Sequence, residues 1–222
     1  EWVAAQLGKR GVEVELVPIT TRGDTQPGPI ESFGGQGVFT KELQRALLDD
    51  RIDLAVHSLK DLPTDEVPGL CLAAVPERAP VGDVLVCPRH ASLEELPQGA
   101  VVGTGSLRRR AQLLHVRGDL RIRDIRGNVD TRLLKVHERD YDAAILAEAG
   151  LRRLGLAEQI TQLLPPAIVL PAVGQGALGL ETRSDDPAMR KRLAGLDHPA
   201  THHAGLAERA MLAALRGGCL AP

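Results

Sequence analysis

The chain has 222 residues, 43% hydrophobic and 25% charged, a balance that fits one or two globular domains and excludes wholesale disorder. No apolar run approaches the ~18 residues of a bilayer span, and the N-terminus lacks a signal-peptide core, so a membrane partner is not expected. A net charge of -2 and 2% aromatic residues argue against nucleic acid as a partner, held either by a basic surface or by base stacking.

Strand-like and helix-like segments alternate along most of the chain, which predicts an α/β fold. Residues 2–6 read as a helix body and 12–19 as a strand that alternates apolar and polar positions. Residues 20–37, rich in Gly and Pro, read as a long loop of the kind that serves as a lid. Helical spacing over 38–48 puts Phe39, Leu43, Ala46 and Leu47 on one face. Strands are predicted over 53–58, 70–75, 83–87, 100–104, 121–126 and 143–147, with helices over 106–116, 129–138 and 151–160. Two short strand-like runs surround 171–176, and helices over 187–196 and 199–215 complete the series. Neither end reads as a domain boundary. Nothing precedes the first helix to cap it, and residues 217–222 follow a long helix directly, so sequence is expected beyond both ends.

Ligands of open α/β sheets bind beyond the carboxyl ends of strands. Three such ends are polar and rich in turn residues: 58–63 (SLKDLP), 105–110 (GSLRRR) and 127–132 (GNVDTR). Lysines are few (Lys9, Lys41, Lys60, Lys135 and Lys191), so most of the basic charge is arginine, which suits carboxylate or phosphate recognition. Between residues 101 and 132 eight arginines meet three aspartates, which leaves the rest of the chain strongly negative. A field so uneven points to a small polyanion. Arg108 and Arg109 fall in the first turn of a predicted helix, where the macrodipole disfavours cations unless an anion is present. The competing account is a solvated helix face with scattered ion pairs.

Asp61 beside Lys60 reads in isolation as a turn former. Cys71 and Cys87 lie in apolar strand-like runs and are expected to be core thiols, whereas Cys219 follows two glycines in a loop, where covalent attachment or a chance free thiol are both open. Three cysteines without a C-x-x-C pair offer neither a disulfide framework nor a zinc site, and a reducing cytoplasm fits. His198, His202 and His203 read as helix-start polar residues, so no metal is expected.

Six motifs together carry a resemblance: DLAVHSLKDLP (53–63), GTGSLRR (103–109), IRGNVDTR (125–132), AEAGLRRLGL (147–156), LPAVGQGA (170–177) and GGCLAP (217–222). In that order, over essentially the whole chain, the sequence resembles the porphobilinogen deaminase family, also called hydroxymethylbilane synthases. The resemblance implies two α/β lobes like those of bilobal solute-binding proteins, plus the start of a third, α+β domain carrying the cofactor cysteine. The first lobe would comprise residues 1–75 and 177–197 without its N-terminal strand, the second 76–176, and the third would begin at 198. It implies a monomeric cytoplasmic transferase of haem-type tetrapyrrole biosynthesis that condenses porphobilinogen head to tail into hydroxymethylbilane and releases ammonia. Its primer would be a dipyrromethane cofactor in thioether linkage to Cys219. Asp61 would be the catalytic carboxylate, stabilising the positive charge that develops as ammonia leaves. Arg108, Arg109, Arg126, Arg132 and Arg153 match the family's carboxylate-binding arginines, and Ser58, Lys60, Thr104, Ser106, Asn128 and Gln175 its other polar site positions. Some positions depart from the family pattern: Ser32 and Gln36 stand where the lid often bears lysines, Gly105 replaces a common serine, and the first strand's arginine and serine have no counterpart. The alternative is a non-catalytic bilobal receptor for a small anion, which would need neither the GGC loop nor Asp61.

Overall fold

The computed structural model describes residues 1–21, 37 and 40–217. Most of the predicted lid, with Ser32 and Gln36, lies outside the described residues, as do Phe39 and the Cys219 loop beyond Gly217. The described residues divide into two compact units, one of 1–78 and 177–217, the other of 79–176.

The first unit is built on a three-stranded antiparallel sheet. Its elements are helix α1 (Trp2–Gly8), helix α2 (Lys41–Leu48), strand β1 (Ala55–Ser58), strand β2 (Leu70–Ala74), and, after the second unit, strand β8 (Leu178–Arg183), helix α6 (Pro187–Ala194) and helix α7 (Pro199–Ala214). Strand β8 is central, pairing Ala55 with Glu181 on one side and Leu72 with Glu181 on the other. Val3 and Leu7 of α1 and Met189 and Leu193 of α6 pack with Ala74 and Leu180, which buries the apolar stripes of both helices. Asp186 caps α6 by accepting from the Met189 N–H, and Pro187 starts the helix at a position where its missing donor costs nothing. Helix α7, expected to open a third domain, groups with this unit. Its Arg209 donates to the carbonyls of Leu62 and Pro63 at 2.7 and 2.6 Å, and Glu208 pairs with Arg78.

The second unit is a five-stranded mixed sheet in the order β5-β4-β6-β3-β7: β3 (Asp83–Val86), β4 (Val101–Gly103), β5 (Arg121–Arg123), β6 (Ala143–Ala147) and β7 (Gln162–Leu164). Helices α3 (Leu107–Val116), α4 (Val129–His137) and α5 (Glu148–Arg153) connect or follow the strands. Strands β4, β5 and β6 are parallel, while β3 runs antiparallel to β6 and β7. Strand β3 is buried on both faces: Leu85 joins the cluster around Leu113 and Ile145, while Val84 and Val86 join that around Leu133 and Leu151. This explains why DVLV reads as a continuous apolar run after its first residue.

Several sequence expectations are corrected. Residues 12–19 form no strand: Val14, Leu16 and Val17 are exposed, because alternation supplies two faces but no partner for the backbone, and Pro18 removes a donor. The helix expected over 151–160 is α5, which begins three residues earlier and ends before Gly155 at φ 72°, with only a 3-10 turn (Ala157–Gln159) after it. The strand-like runs around 171–176 are turns, since Gly174 and Gly176 take positive φ, and the strand is β8 just downstream. At Gly176 (φ 83°) a Cβ would meet the Ala79 carbonyl oxygen at 2.4 Å, so only glycine fits where these two segments meet.

Candidate functional site

In the first unit, β1 delivers Ser58 and then a 3-10 turn, Leu59–Asp61, carrying Lys60 and Asp61. The turn is fixed by burial of Leu59 and Leu62 in a small core with Val75 and Ala177, and by Arg209 holding the two carbonyls beyond Asp61. Ser58 and Asp61 line a cavity of about 280 Å³ together with Ile19, Thr21, Thr40, Leu43, Val56 and His57. His57 is buried beneath it and shares Glu181 with Gln44, at 2.9 Å to His57 Nε2 and 3.1 Å to Gln44 Nε2.

The second unit gathers most of the other predicted residues at the carboxyl edge of its parallel strands. After β4, Thr104 is buried and its hydroxyl accepts from the Ser106 N–H at 3.2 Å; Ser106 caps α3 by accepting from the Arg109 N–H. Arg108 and Arg109 occupy the first turn of α3, as the motif predicts. Asp83, which sequence reasoning missed, sits completely buried against them. Its Oδ2 accepts from Arg108 Nη2 at 2.7 Å and its Oδ1 from Arg109 Nη2 at 2.6 Å and from Gln175 Nε2 at 2.8 Å. The expected external anion at this helix terminus is thus, in the first instance, an internal carboxylate. Burial alone would raise the pKa of Asp83, but the charges and hydrogen bonds of Arg109 and Arg108 outweigh it and hold the carboxyl below its ordinary value. Burial pushes Arg108 down, although its guanidinium remains charged. Gln175 also donates to the Val81 carbonyl at 2.7 Å, and Arg153 from α5 donates to the Gly176 carbonyl at 2.5 Å.

The third motif follows β5. Asn128 stands at the start of α4, and Arg132 turns back to donate to the Gly127 carbonyl at 2.7 Å. Arg126 is half-buried and has no ion-pair partner among the described residues. Two other members of the arginine cluster make structural contacts. Arg117 donates to the Leu93 and Leu96 carbonyls, and its hydrogen bond pushes the Asp119 carboxyl down to about 2. Arg123 lies 5.0 Å from the centre of the Tyr141 ring.

Cys87 is buried, its thiol on the Asp142 carbonyl, but Cys71 is only partly covered, which corrects the expectation of two core thiols. Burial nonetheless pushes the Cys71 thiol up, so little of it is thiolate. His198 caps α7 through Nδ1 toward Thr201, and His202 pairs with Asp197 at 2.8 Å. Among the described residues no group of three or more His, Cys, Asp or Glu is placed to hold a metal ion.

Asp83 escapes a search of strand carboxyl ends because it opens an antiparallel strand, whose beginning lies on the same edge: Asp83 faces Ala147, the last residue of β6. The available signal was a carboxylate leading an otherwise apolar strand, which needs a partner once buried.

Two α/β units linked by crossing segments, with polar and basic residues at sheet edges, define the architecture of the two-lobed substrate-binding proteins. Solved structures agree on the fold. A nutrient-binding protein from Burkholderia cenocepacia bound to methionine matches 87% of this chain and 84% of its own at 16% identity (TM-score 0.52), and an ABC-transporter periplasmic substrate-binding protein from Coxiella burnetii matches 95% and 90% at 15% (TM-score 0.51). Sequence is more specific. Residues 1–191 match the family described as porphobilinogen deaminase, dipyromethane cofactor binding domain, and the porphobilinogen deaminase of Syntrophotalea carbinolica is 51% identical over all of this chain and 71% of its own length. The chain belongs to the porphobilinogen deaminase family, transferases of porphyrin biosynthesis, and carries the family's dipyrromethane-binding domain.

Proposed function

We propose that this protein joins porphobilinogen units head to tail into hydroxymethylbilane, with Asp61 as the catalytic carboxylate and Arg108, Arg109, Arg126, Arg132 and Arg153 holding the acetate and propionate groups of the pyrroles. The observation that carries the reading is the Arg108–Arg109–Asp83 cluster. Two guanidinium groups share one buried carboxylate, so one positive charge remains over, and Arg109 Nε is buried without an acceptor. A ligand bearing several carboxylates fits that surplus. Dipyrromethane, held in thioether linkage by Cys219, would supply the free pyrrole carbon for the first unit; each later unit would join the end of the growing chain, and water would supply the hydroxyl when the finished chain is released. At each addition the aminomethyl C–N bond of porphobilinogen breaks and ammonia leaves. A C–C bond then forms, and the attacked pyrrole carbon gives up its proton.

Asp61 forms part of the wall of the first unit's cavity, where its carboxylate favours the positive charge that develops on the pyrrole as ammonia leaves. Ser58 and Lys60 flank it, while Thr104, Ser106, Asn128 and Gln175 supply hydrogen bonds at the second unit's sheet edge. We also propose the three-domain division at residues 75/76, 176/177 and 197/198, a monomer, and a cytoplasmic location without membrane or nucleic-acid partners. No helix among the described residues is long and apolar enough to cross a membrane. The receptor alternative draws only on fold, and likeness at 16% identity carries no ligand chemistry.

The test uses the full-length protein. Freshly purified material should carry a mass increment of one dipyrromethane, give the pink Ehrlich reaction, and consume porphobilinogen with release of ammonia. Cys219→Ser should lose the increment, the colour and turnover together, whereas Cys71→Ala and Cys87→Ala should keep all three. An adduct on either strand cysteine, or turnover surviving in Cys219→Ser, would sink the assignment.

A further inference from the structure

We propose that Asp83 is a positioning residue: its buried carboxylate fixes the guanidinium groups of Arg108 and Arg109 in one arrangement and cancels one of their two charges, so that the pair meets a substrate carboxylate as a pre-oriented single positive charge. The inference rests on the carboxylate-binding role proposed above for the two arginines and adds the residue that sets their geometry.

The contacts leave little freedom. Each guanidinium is held at two points. Arg109 donates through Nη2 to Asp83 and through Nη1 to the Ile145 carbonyl at 3.1 Å, and Arg108 donates through Nη2 to Asp83 and through Nη1 to the Leu170 carbonyl. A planar group pinned at two points has its remaining N–H directions set. Gln175 closes the arrangement from the other side, donating to the same oxygen as Arg109 and to the Val81 carbonyl. Both oxygens of Asp83 are therefore occupied and fully covered, so it is placed to orient the arginines and not to touch substrate.

Charge leads to the same conclusion. Without Asp83, two neighbouring guanidinium groups at a helix N-terminus would repel each other and the macrodipole, and would turn outward to water. Arg109 in particular would have no reason to remain buried. With Asp83 present, the arrangement is set before substrate arrives, and binding need not order two long side chains. The predicted signature is a loss in substrate affinity and not in the rate of the chemical step.

The experiment compares full-length, cofactor-loaded wild type with Asp83→Asn and Asp83→Glu by thermal melting, intact mass and steady-state kinetics with porphobilinogen. Asp83→Asn should raise KM at least tenfold, while kcat per cofactor-loaded molecule stays within threefold. Asp83→Glu, which restores the charge one methylene farther out, should recover part of the KM. A lowered melting temperature and loaded fraction with unchanged KM in the folded remainder would make Asp83 merely structural and overturn the inference. If the Asn variant does not fold, Asp83→Glu decides alone: an unchanged KM, or failure of that variant to fold as well, overturns it. A wild-type protein that does not consume porphobilinogen overturns the proposed function and this inference with it. An active wild type with unmoved KM in the variants overturns only the inference.

Discussion

Arg109→Leu separates what the helix suggests from what the packing demands. Taken alone, an arginine in the first turn of α3 opposes the macrodipole, and replacing it with leucine should relieve ~0.3–1 kcal/mol. The structure reverses the sign. Arg109 is buried, and its loss strips Asp83 of its 2.6 Å partner and the Ile145 carbonyl of its donor. Removing one partner from a buried ion pair costs ~3–5 kcal/mol. Arg108 and Gln175 stay on Asp83, which favours the lower end of that range. Subtracting the dipole relief leaves a net loss of about 2 kcal/mol, which at ~2–4 °C per kcal/mol for a chain of this size lowers Tm by about 4–8 °C. The assay is thermal unfolding without substrate, followed by circular dichroism. Adding Asp83→Asn to Arg109→Leu should return at least half of the loss, because the uncompensated charge is gone and the two substitutions are not additive. An Arg109→Leu protein that melts at or above wild type would refute the reasoning, and the arginine would then be free for ligand alone.

Three further outcomes follow from the same geometry. Because the pKa of Asp83 lies below its ordinary 3.8, its stabilising contribution is complete above about pH 4 and is lost as pH falls through the native value; wild type should lose stability more steeply than Asp83→Asn as pH falls below about 4, and parallel acid-unfolding curves would contradict this. Gly176→Ala should destabilise by about 1–3 kcal/mol, since the new methyl would meet the Ala79 carbonyl oxygen at 2.4 Å in a backbone with φ 83°; an unchanged melting temperature would show that the segment shifts freely. Asp61→Asn should keep its dipyrromethane by mass and still bind porphobilinogen, but lose ~10²–10³ in kcat, whereas near-normal turnover at full occupancy would return Asp61 to the role of a turn former.

Most elements of the second unit were legible because they are specified locally; β7, which pairs with β3 about 80 residues earlier, was not. The apolar period, the Ser106 cap and the parallel strand ends identify α3 and its neighbours without reference to the rest of the chain. Elements of the first unit that depend on distant partners were not. Strand β8 pairs with strands more than a hundred residues earlier, and LGLETR carries Glu181 and Thr182 in buried positions, so its polarity disguises a central strand. Glu181 is satisfied by His57 and Gln44, and Thr182 by the Asp53 carbonyl, none of them local. The converse failure is residues 12–19, whose clean alternation has no strand to pair with among the described residues. Periodicity reports which faces a strand would present; partners decide whether it exists.

The site divides along the same line. The strand-end segments that hold Asp61, Thr104 and Asn128 are found through turn chemistry and position, while the roles expected of these residues come from the family resemblance alone. Asp83 is not found in that way, because whether it matters depends on the direction in which β3 is threaded. Were β3 parallel to β6, its first residue would lie at the opposite edge of the sheet, three residue steps or ~10 Å along the strand, and the arginines would need an external anion to remain where they are. Antiparallel threading instead brings a carboxylate to the first turn of α3, and a pair of arginines in tension with the helix dipole becomes a stable, half-neutralised cluster. The topology of one strand thus fixes the net charge of the Arg108–Arg109–Asp83 cluster.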